Sequence, residues 1–99
     1  MSDITTDCIR HTSFKIQPAY QSMVKCEDRI QTFKDWPQQV RQTPHELASN
    51  GFFYSGQSDK VTCFMCGVHL SSWTISDFVD IEHKRWSKDC VYLLMTLPK

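Results

Sequence analysis

Three cysteines and one histidine in the second half of the chain constrain its fold more than any other feature. They are spaced as Cys63-x2-Cys66-x16-His83-x6-Cys90. Three thiolates and one imidazole suit a tetrahedral zinc ion, with zinc–sulfur distances of about 2.3 Å and zinc–nitrogen distances of about 2.0 Å. Because four protein ligands leave no open coordination position, the pattern predicts one structural Zn²⁺.

The length of the chain explains why such a site would be needed. A chain of 99 residues forms one small domain, which buries too little surface to be comfortably stable without a disulfide or a metal. A disulfide framework fits poorly, because the number of cysteines is odd at 5 and the amino-terminal MSDITTDC lacks the features of a secretory signal. We therefore expect zinc to join a hairpin to the last long helix, and the metal-free chain to be largely unfolded.

Charge and hydropathy argue against two classes of partner. The 11 basic residues balance the 11 acidic ones, so nucleic acid finds no electrostatic attraction. No apolar run approaches the roughly 20 residues that a membrane-spanning helix requires. With no signal sequence, these features predict an intracellular protein, cytoplasmic or alternatively nuclear.

Other interpretations of the Cys/His set fit less well. A Cys-x-x-Cys pair also serves redox exchange in thioredoxin-like folds, but no βαβ pattern surrounds this one. A hydrolytic zinc site would need a general base, for which Glu82 beside His83 is the candidate, yet the four ligands close the site. His69 could compete as a ligand, although a surface histidine is the simpler interpretation. Cys8 and Cys26 have no ligand spacing and are interpreted as free thiols, and we predict no catalytic residue.

Local patterns predict a mixture of short helices and strands. Ile30, Phe33 and Trp36 recur at three-residue steps and should face the core from one helix. A second helix should start at a capping box from Thr43 and stop at Gly51. The predicted elements are helices over 26–36, 44–50 and 78–86, strands over 52–54, 61–64 and 69–73, and an apolar segment over 91–97. We interpret residues 1–25 as an N-terminal arm and residues 26–97 as one domain.

Beyond the metal ligands, many residues match the pattern of one family. The match comprises Arg29-x3-Phe33-x2-Trp36-Pro37, Leu47-Ala48-x2-Gly51-Phe52-x-Tyr54-x-Gly56-x2-Asp59-x-Val61-x-Cys63-Phe64-x-Cys66-Gly67, Leu70, Trp73, Glu82-His83-x2-Trp86 and Cys90. Over about residues 26–95 the chain resembles the BIR domain of inhibitor-of-apoptosis proteins, and within it the peptide-binding class. The resemblance implies an α+β zinc-binding fold, in which short helices surround a short three-stranded antiparallel sheet.

The resemblance also implies a groove beside the third strand, where an extended peptide adds to the sheet. Leu70 and Ser71 would bond the peptide backbone, and Trp73 and Trp86 would wall a pocket for a small first residue such as Ala. Asp77 and Glu82 would receive the ammonium group of that residue, and Lys60 would reach the peptide. Independently of the family, Glu82 and Trp86 are four residues apart on one helical face. The competing interpretations are a core position for each tryptophan and helix capping for Asp77.

The function implied is anti-apoptotic and depends on binding alone. The groove would capture N-terminal Ala-type motifs of pro-apoptotic antagonists or processed caspases and so restrain caspase activity. A single domain of this kind also resembles compact viral inhibitors. Two alternatives stay open: a survivin-like adaptor in cell division, and a BIR domain that keeps the zinc fold but has lost its groove. The second alternative rests on departures from the family pattern, at His69 for a common glycine, Val79 for a frequent proline, and Ser87-Lys88 for an aromatic-proline pair.

Overall fold

The computed structural model describes residues 17–96 of the chain. A 3-10 turn at Gln21–Met23 precedes the helices α1 (Cys26–Gln31) and α2 (Pro44–Ser49), the strands β1 (Phe52–Tyr54), β2 (Val61–Cys63) and β3 (His69–Leu70), and the helices α3 (Val79–Trp86) and α4 (Val91–Thr96). The α+β architecture predicted from the sequence is confirmed. The predicted arm before residue 17, Cys8 included, and the end of the last segment at Leu97 lie outside the described residues.

The sheet is a meander of three antiparallel strands in the order β1-β2-β3. The predicted hairpin joins β1 to β2, with Tyr54 opposite Val61. In its turn the Tyr54 hydroxyl donates to the carbonyl of Ser58, and Gly56 has a φ of +91°, a left-handed conformation that glycine adopts at little cost. On the outer side of β1, the Tyr54 amide donates to the Thr32 hydroxyl. The helices therefore cover the β1 edge, and β3 forms the other edge of the sheet.

The third strand is shorter than predicted, ending at Leu70 and not near Trp73. Two features end it. Ser72 has a φ of +59°, which breaks the extended conformation, and the Asp59 carboxylate accepts the backbone amides of Ser72 and Trp73, both at 2.9 Å. The chain leaves the sheet there because a side chain has replaced the neighbouring strand as hydrogen-bond partner.

The first two helices follow the sequence prediction at their apolar faces more closely than at their ends. Helix α1 stops at Gln31, because the next amides bond three residues back, as from Phe33 to Ile30. Phe33 and Trp36 are nevertheless buried as predicted. Helix α2 begins with the predicted capping box, in which the Thr43 side chain accepts the Glu46 amide and the Glu46 side chain accepts the Thr43 amide.

Helix α3 begins one residue later than predicted, with Phe78 as its N-cap and no side-chain cap. Asp77 does not cap it; its carboxylate instead accepts the amide of Thr74 at 2.9 Å. Val79, at a position where the family pattern often has proline, is fully buried in the core. Val79 therefore contributes apolar packing at the start of α3.

The core lies between the sheet and the helices and includes two of the predicted metal ligands. Its buried members are Phe33, Trp36, Leu47, Ala48, Phe52, Tyr54, Val61, Cys63, Val79, Cys90 and Leu93. Since Cys63 and Cys90 belong to this cluster, a metal bound between them would be part of the core. Across residues 17–96, no helix has the length and apolarity to cross a bilayer.

A buried arginine joins three parts of the chain. The guanidinium of Arg29, 1% exposed, donates to the carbonyls of Met23, Val24 and Ala48 and to the hydroxyl of Tyr92 at 2.9 to 3.2 Å. It also lies 4.6 Å from the centre of the Phe64 ring. Arg29 thereby fixes the segment before α1 to the end of α2 and to α4.

Candidate metal centre and peptide groove

The four predicted ligands meet where the β2–β3 connection faces the last two helices. Cys63 ends β2, and the chain then turns tightly through Cys66 and Gly67, whose amide returns to the Cys63 carbonyl at 2.9 Å. Gly67 has a φ of +80°, so glycine suits this turn. His83 comes from α3, and a second turn, closed by the Cys90 amide and the Ser87 carbonyl, presents Cys90. The ligand atoms of Cys63, Cys66, His83 and Cys90 all lie within 4.8 Å of one another.

The distances between these atoms fit one tetrahedral zinc ion. The sulfurs of Cys63 and Cys90 are 3.8 Å apart, and the Cys66 sulfur is 3.7 Å from Nε2 of His83. Zinc–sulfur bonds of about 2.3 Å in a tetrahedron place two sulfurs about 3.8 Å apart, whereas a disulfide would bring them to about 2.05 Å. A bound Zn²⁺ would supply a structural cross-link between the sheet and the two helices. The cluster therefore suits one structural zinc ion, as predicted.

The titration behaviour of the ligands reflects their crowding. Hydrogen bonds with Cys66 and Cys90, together with burial, raise the pKa of the Cys63 thiol, while hydrogen bonds from Cys63 and Cys90 lower the pKa of Cys66. Burial alone would lower the pKa of His83, but hydrogen bonds to Cys66 and Cys90 outweigh it and raise the pKa to about 9. A divalent cation bound here would replace the protons of Cys63 and Cys66.

Packing orients the histidine ligand. Its Nε2 faces the Cys66 sulfur, while its Nδ1 is buried without a hydrogen-bond partner among the described residues. The imidazole lies 4.6 Å from the Phe52 ring, centre to centre, at an interplanar angle of 50°. Metal-bound histidines usually donate their second nitrogen to an oxygen, whereas the contact observed here is the packing of the Phe52 ring against the imidazole.

The outer edge of β3 presents the backbone groups of His69. The Cys63 amide donates to the Val68 carbonyl at 3.0 Å, so these two residues form a hydrogen-bonded pair. In an antiparallel ladder such pairs alternate with non-bonded ones, and Thr62 opposite His69 is therefore non-bonded. The amide and carbonyl of His69 point away from β2. The close approach of the two side chains agrees, since Thr62 Oγ1 lies 2.8 Å from His69 Nδ1.

This alternation corrects one part of the predicted groove. Leu70 lies opposite Val61, so its backbone groups point into the sheet and are not available to a peptide. Within β3, the backbone groups that point outward are those of His69. The sequence pattern could not distinguish Leu70 from His69, because the register of β3 against β2 decides which amides face outward.

The tryptophans and acids predicted for the groove lie on the segments that follow β3. Trp86 is 65% exposed and is therefore not a core residue. Trp73 is half-buried, with its ring edge against Phe52 at a centre-to-centre distance of 6.4 Å. The Glu82 side chain is only 17% exposed and lies 3.7 Å from the guanidinium of exposed Arg85. Lys60, directly before β2, is exposed.

Three residues that hold this region had no predicted role in the sequence analysis. Asp59 fixes the backbone at Ser72 and Trp73, as described above. Arg41 and Gln42 donate from their side chains to carbonyls of the segment that contains Asp77. No periodicity or motif marks Arg41 or Gln42, because their partners lie more than 30 residues away in sequence.

Comparisons with known proteins agree with this geometry. The model of the BIR family, described as an inhibitor of apoptosis domain, matches residues 29–94. The chain is 43% identical over 77 residues to the E3 ubiquitin-protein ligase XIAP of Xenopus tropicalis, covering 78% of this chain and 16% of that protein. It is 45% identical over 67 residues to the E3 ubiquitin-protein ligase IAP-3 of Orgyia pseudotsugata multicapsid polyhedrosis virus, covering 68% and 25%.

Among solved structures, the fold is similar to that of DIAP1 BIR1 bound to a Grim peptide. The TM-score is 0.67 and the sequence identity 38%, with 74% of each chain covered. The chain thus corresponds to a small part of the two ligases and to most of the solved BIR chain.

Proposed function

The chain belongs to the BIR family, and from this premise we propose that it captures the free amino terminus of Ala-type peptides in a groove along β3. The occupants would be the exposed N-terminal motifs of pro-apoptotic antagonists or of processed caspases. The domain would restrain caspase activity by binding alone, as an anti-apoptotic protein of the cytoplasm or nucleus. Residues 26–97 would form the binding domain, preceded by the arm over 1–25.

The open edge of β3 is the observation that carries this proposal. The opposite edge, β1, already donates to Thr32, so β3 is the edge left for an added strand in the described sheet. His69 directs its backbone groups outward at this edge. A peptide strand could accept from and donate to His69 and would extend the pairing to Ser71, which supplies affinity without requiring a particular side chain.

The residues that we assign to the end of the groove account for the requirement of a free amino terminus. In this proposal they are the carboxylates of Asp77 and Glu82 and the exposed indole of Trp86. An ammonium group gains charge-assisted hydrogen bonds from carboxylates, about twice as strong as neutral ones. An acetylated amine lacks the charge and is larger, so both the lost hydrogen bonds and the added bulk should weaken binding.

The relatives support the same assignment. The solved DIAP1 BIR1 chain with similar fold is bound to a Grim peptide, and 38% identity makes a shared binding mode a reasonable expectation. The two ligases are several times longer than their match to this chain, so we transfer no ubiquitin chemistry from their names. For this chain we propose a binding role and no enzymatic one.

Calorimetric titration of the zinc-loaded protein tests the proposal. The ligands are a short peptide beginning with a free Ala and the same peptide N-acetylated. We expect a dissociation constant in the micromolar range or tighter, about −8 kcal/mol or better, that acetylation abolishes. Equal binding of the two peptides, or no binding of either, would refute capture of the amino terminus and favour a domain that acts through another surface.

Two acidic variants and a matched control locate the ammonium site. Asp77→Asn and Glu82→Gln should each weaken binding of the free-amine peptide by about tenfold, since charged hydrogen bonds are worth roughly 1.5–3 kcal/mol. Asp80→Asn removes an exposed carboxylate from the first turn of α3, between the two test positions in sequence, and should leave affinity unchanged. A loss in the control equal to that in the two variants would mean that only the overall negative charge of this region matters.

A further inference from the structure

We infer that Arg41 and Gln42 are positioning residues, which hold the turn at Thr74–Asp77 so that the Asp77 carboxylate meets the peptide ammonium. The inference rests on the proposed function and adds two residues to its site. Neither residue touches the peptide in this scheme. Both act on the backbone that presents Asp77.

The turn itself is closed by two hydrogen bonds between its ends. The Asp77 amide donates to the Thr74 carbonyl at 3.1 Å, and the Thr74 amide donates to Asp77 Oδ2 at 2.9 Å. Oδ1 of Asp77 has no hydrogen-bond partner within residues 17–96, so this oxygen is the one available to a ligand. Ile75 and Ser76, between the two ends, are exposed, and the turn therefore needs support from elsewhere in the fold.

Gln42 supports the turn from inside the protein. The residue is fully buried, and its Nε2 donates to the carbonyls of Thr74 and Asp77, both at 2.8 Å. Two carbonyl acceptors fix which end of the amide carries the nitrogen. The backbone carbonyl of Gln42 in turn accepts the indole N–H of buried Trp36 at 2.9 Å. A continuous set of hydrogen bonds thus joins the turn to the core.

Arg41 holds the same turn from the solvent side. Its Nε donates to the Ile75 carbonyl at 2.7 Å, and its Nη2 donates to the Asp77 carbonyl. The guanidinium also lies 5.9 Å from the centre of the Phe78 ring. The fixed fork of donors matches two carbonyls of one turn, which a lysine ammonium could not do with the same geometry.

The two residues together explain how an exposed turn can present a carboxylate accurately. The Asp77 carbonyl receives one donor from each of two consecutive residues, and the Thr74 carbonyl receives one more. Binding constellations need their groups held within about 0.5 Å by surrounding packing and hydrogen bonds. Without Gln42, the part-buried carbonyls of Thr74 and Asp77 would each lose a donor, and the turn would be expected to move Asp77 with it.

A double-mutant cycle on the zinc-loaded protein tests the inference. Gln42→Met keeps the length of the side chain and removes the donor, and Asp77→Asn removes the charge that the turn presents. The probe is the free-amine Ala peptide, with affinity measured by calorimetry. Gln39→Met, the same change at an exposed position three residues earlier, is the matched control. Zinc content and thermal midpoint are measured for each variant to verify that it is folded.

We expect Gln42→Met to weaken peptide binding by about tenfold in the natural background and by less than about twofold in the Asp77→Asn background, because coupled residues are non-additive. Gln39→Met should bind normally. Arg41→Lys, which keeps the charge, should also weaken binding only while Asp77 is present. Equal losses in both backgrounds, or normal affinity of a folded Gln42→Met, would overturn the inference and leave the proposed function standing. Absence of binding by the unmodified protein would overturn both.

Discussion

Replacing Arg29 with methionine should lower the free energy of unfolding by about 3 kcal/mol. The change retains most of the side-chain volume but removes every donor of the guanidinium. The Ala48 carbonyl then loses the guanidinium at 3.0 Å and keeps the Gly51 amide, and loss of a hydrogen bond from a charged group costs about 1.5–3 kcal/mol. The carbonyls of Met23 and Val24 lose partners at 3.0 and 2.9 Å. They lie nearer the surface and can take water, so each should add only about 0.5 kcal/mol.

An opposing effect must be weighed, because methionine no longer requires burial of a charge. Replacing a whole buried ion pair with apolar residues is often neutral for this reason. Here, however, the acceptors are mainly backbone carbonyls, which no substitution of Arg29 removes. Loss of the donor should therefore dominate. Arg29→Lys should destabilise at least as much, because an ammonium keeps the desolvation cost and cannot reach the same set of acceptors.

Urea denaturation followed by tryptophan fluorescence measures the effect, at a fixed free zinc concentration because metal binding contributes to stability. Arg85→Met is the control, since the Arg85 side chain is 61% exposed and its loss should cost less than about 0.5 kcal/mol. A thermal midpoint lowered by about 15 °C would agree with the expected 3 kcal/mol. An Arg29→Met protein as stable as its parent, or as stable as Arg85→Met, would refute the reasoning.

Four further predictions concern the backbone and the metal. Gly51→Ala should destabilise the protein more than Gly56→Ala in the same denaturation assay. Both residues have left-handed φ values, of +94° and +91°, but a Cβ on Gly51 would lie 3.0 Å from the Tyr92 ring, whereas one on Gly56 would meet nothing within 4 Å. Equal losses of stability would contradict the steric argument. Cys66→Ser should lose bound zinc in native mass spectrometry. Cys26 is a free cysteine outside the cluster, so Cys26→Ser should keep one zinc ion. Retention of zinc by Cys66→Ser would exclude Cys66 as a ligand. Zinc affinity should fall as pH falls, because the ligands bind only after losing their protons. Chelation of zinc should abolish the circular dichroism spectrum of the folded protein. A chelated protein with an unchanged spectrum would show that the metal is dispensable.

Agreement between sequence and structure is best where local chemistry decides the outcome. The capping box from Thr43 to Glu46 needs only residues three positions apart, and it forms as predicted. The burial of Phe33 and Trp36 follows from their spacing in the sequence and survives the early end of α1. The zinc ligands could be assigned because thiolates and imidazole have few other uses in such a pattern. Their chemistry determines the cluster however the intervening chain is folded.

Where prediction failed, partners distant in sequence decided the structure. The end of β3 depends on the Asp59 carboxylate, and the outward direction of His69 in place of Leu70 depends on the register with β2. Gln42 and Arg41 reach the turn at Thr74–Asp77 only because the fold brings two loops together. The sequence by itself therefore determined the metal, the class of fold and the apolar faces, which depend on residue chemistry and short-range period. The tertiary structure alone decided which backbone groups face the open edge of β3 and what holds the turn that contains Asp77, because both depend on hydrogen bonds between segments far apart in the chain.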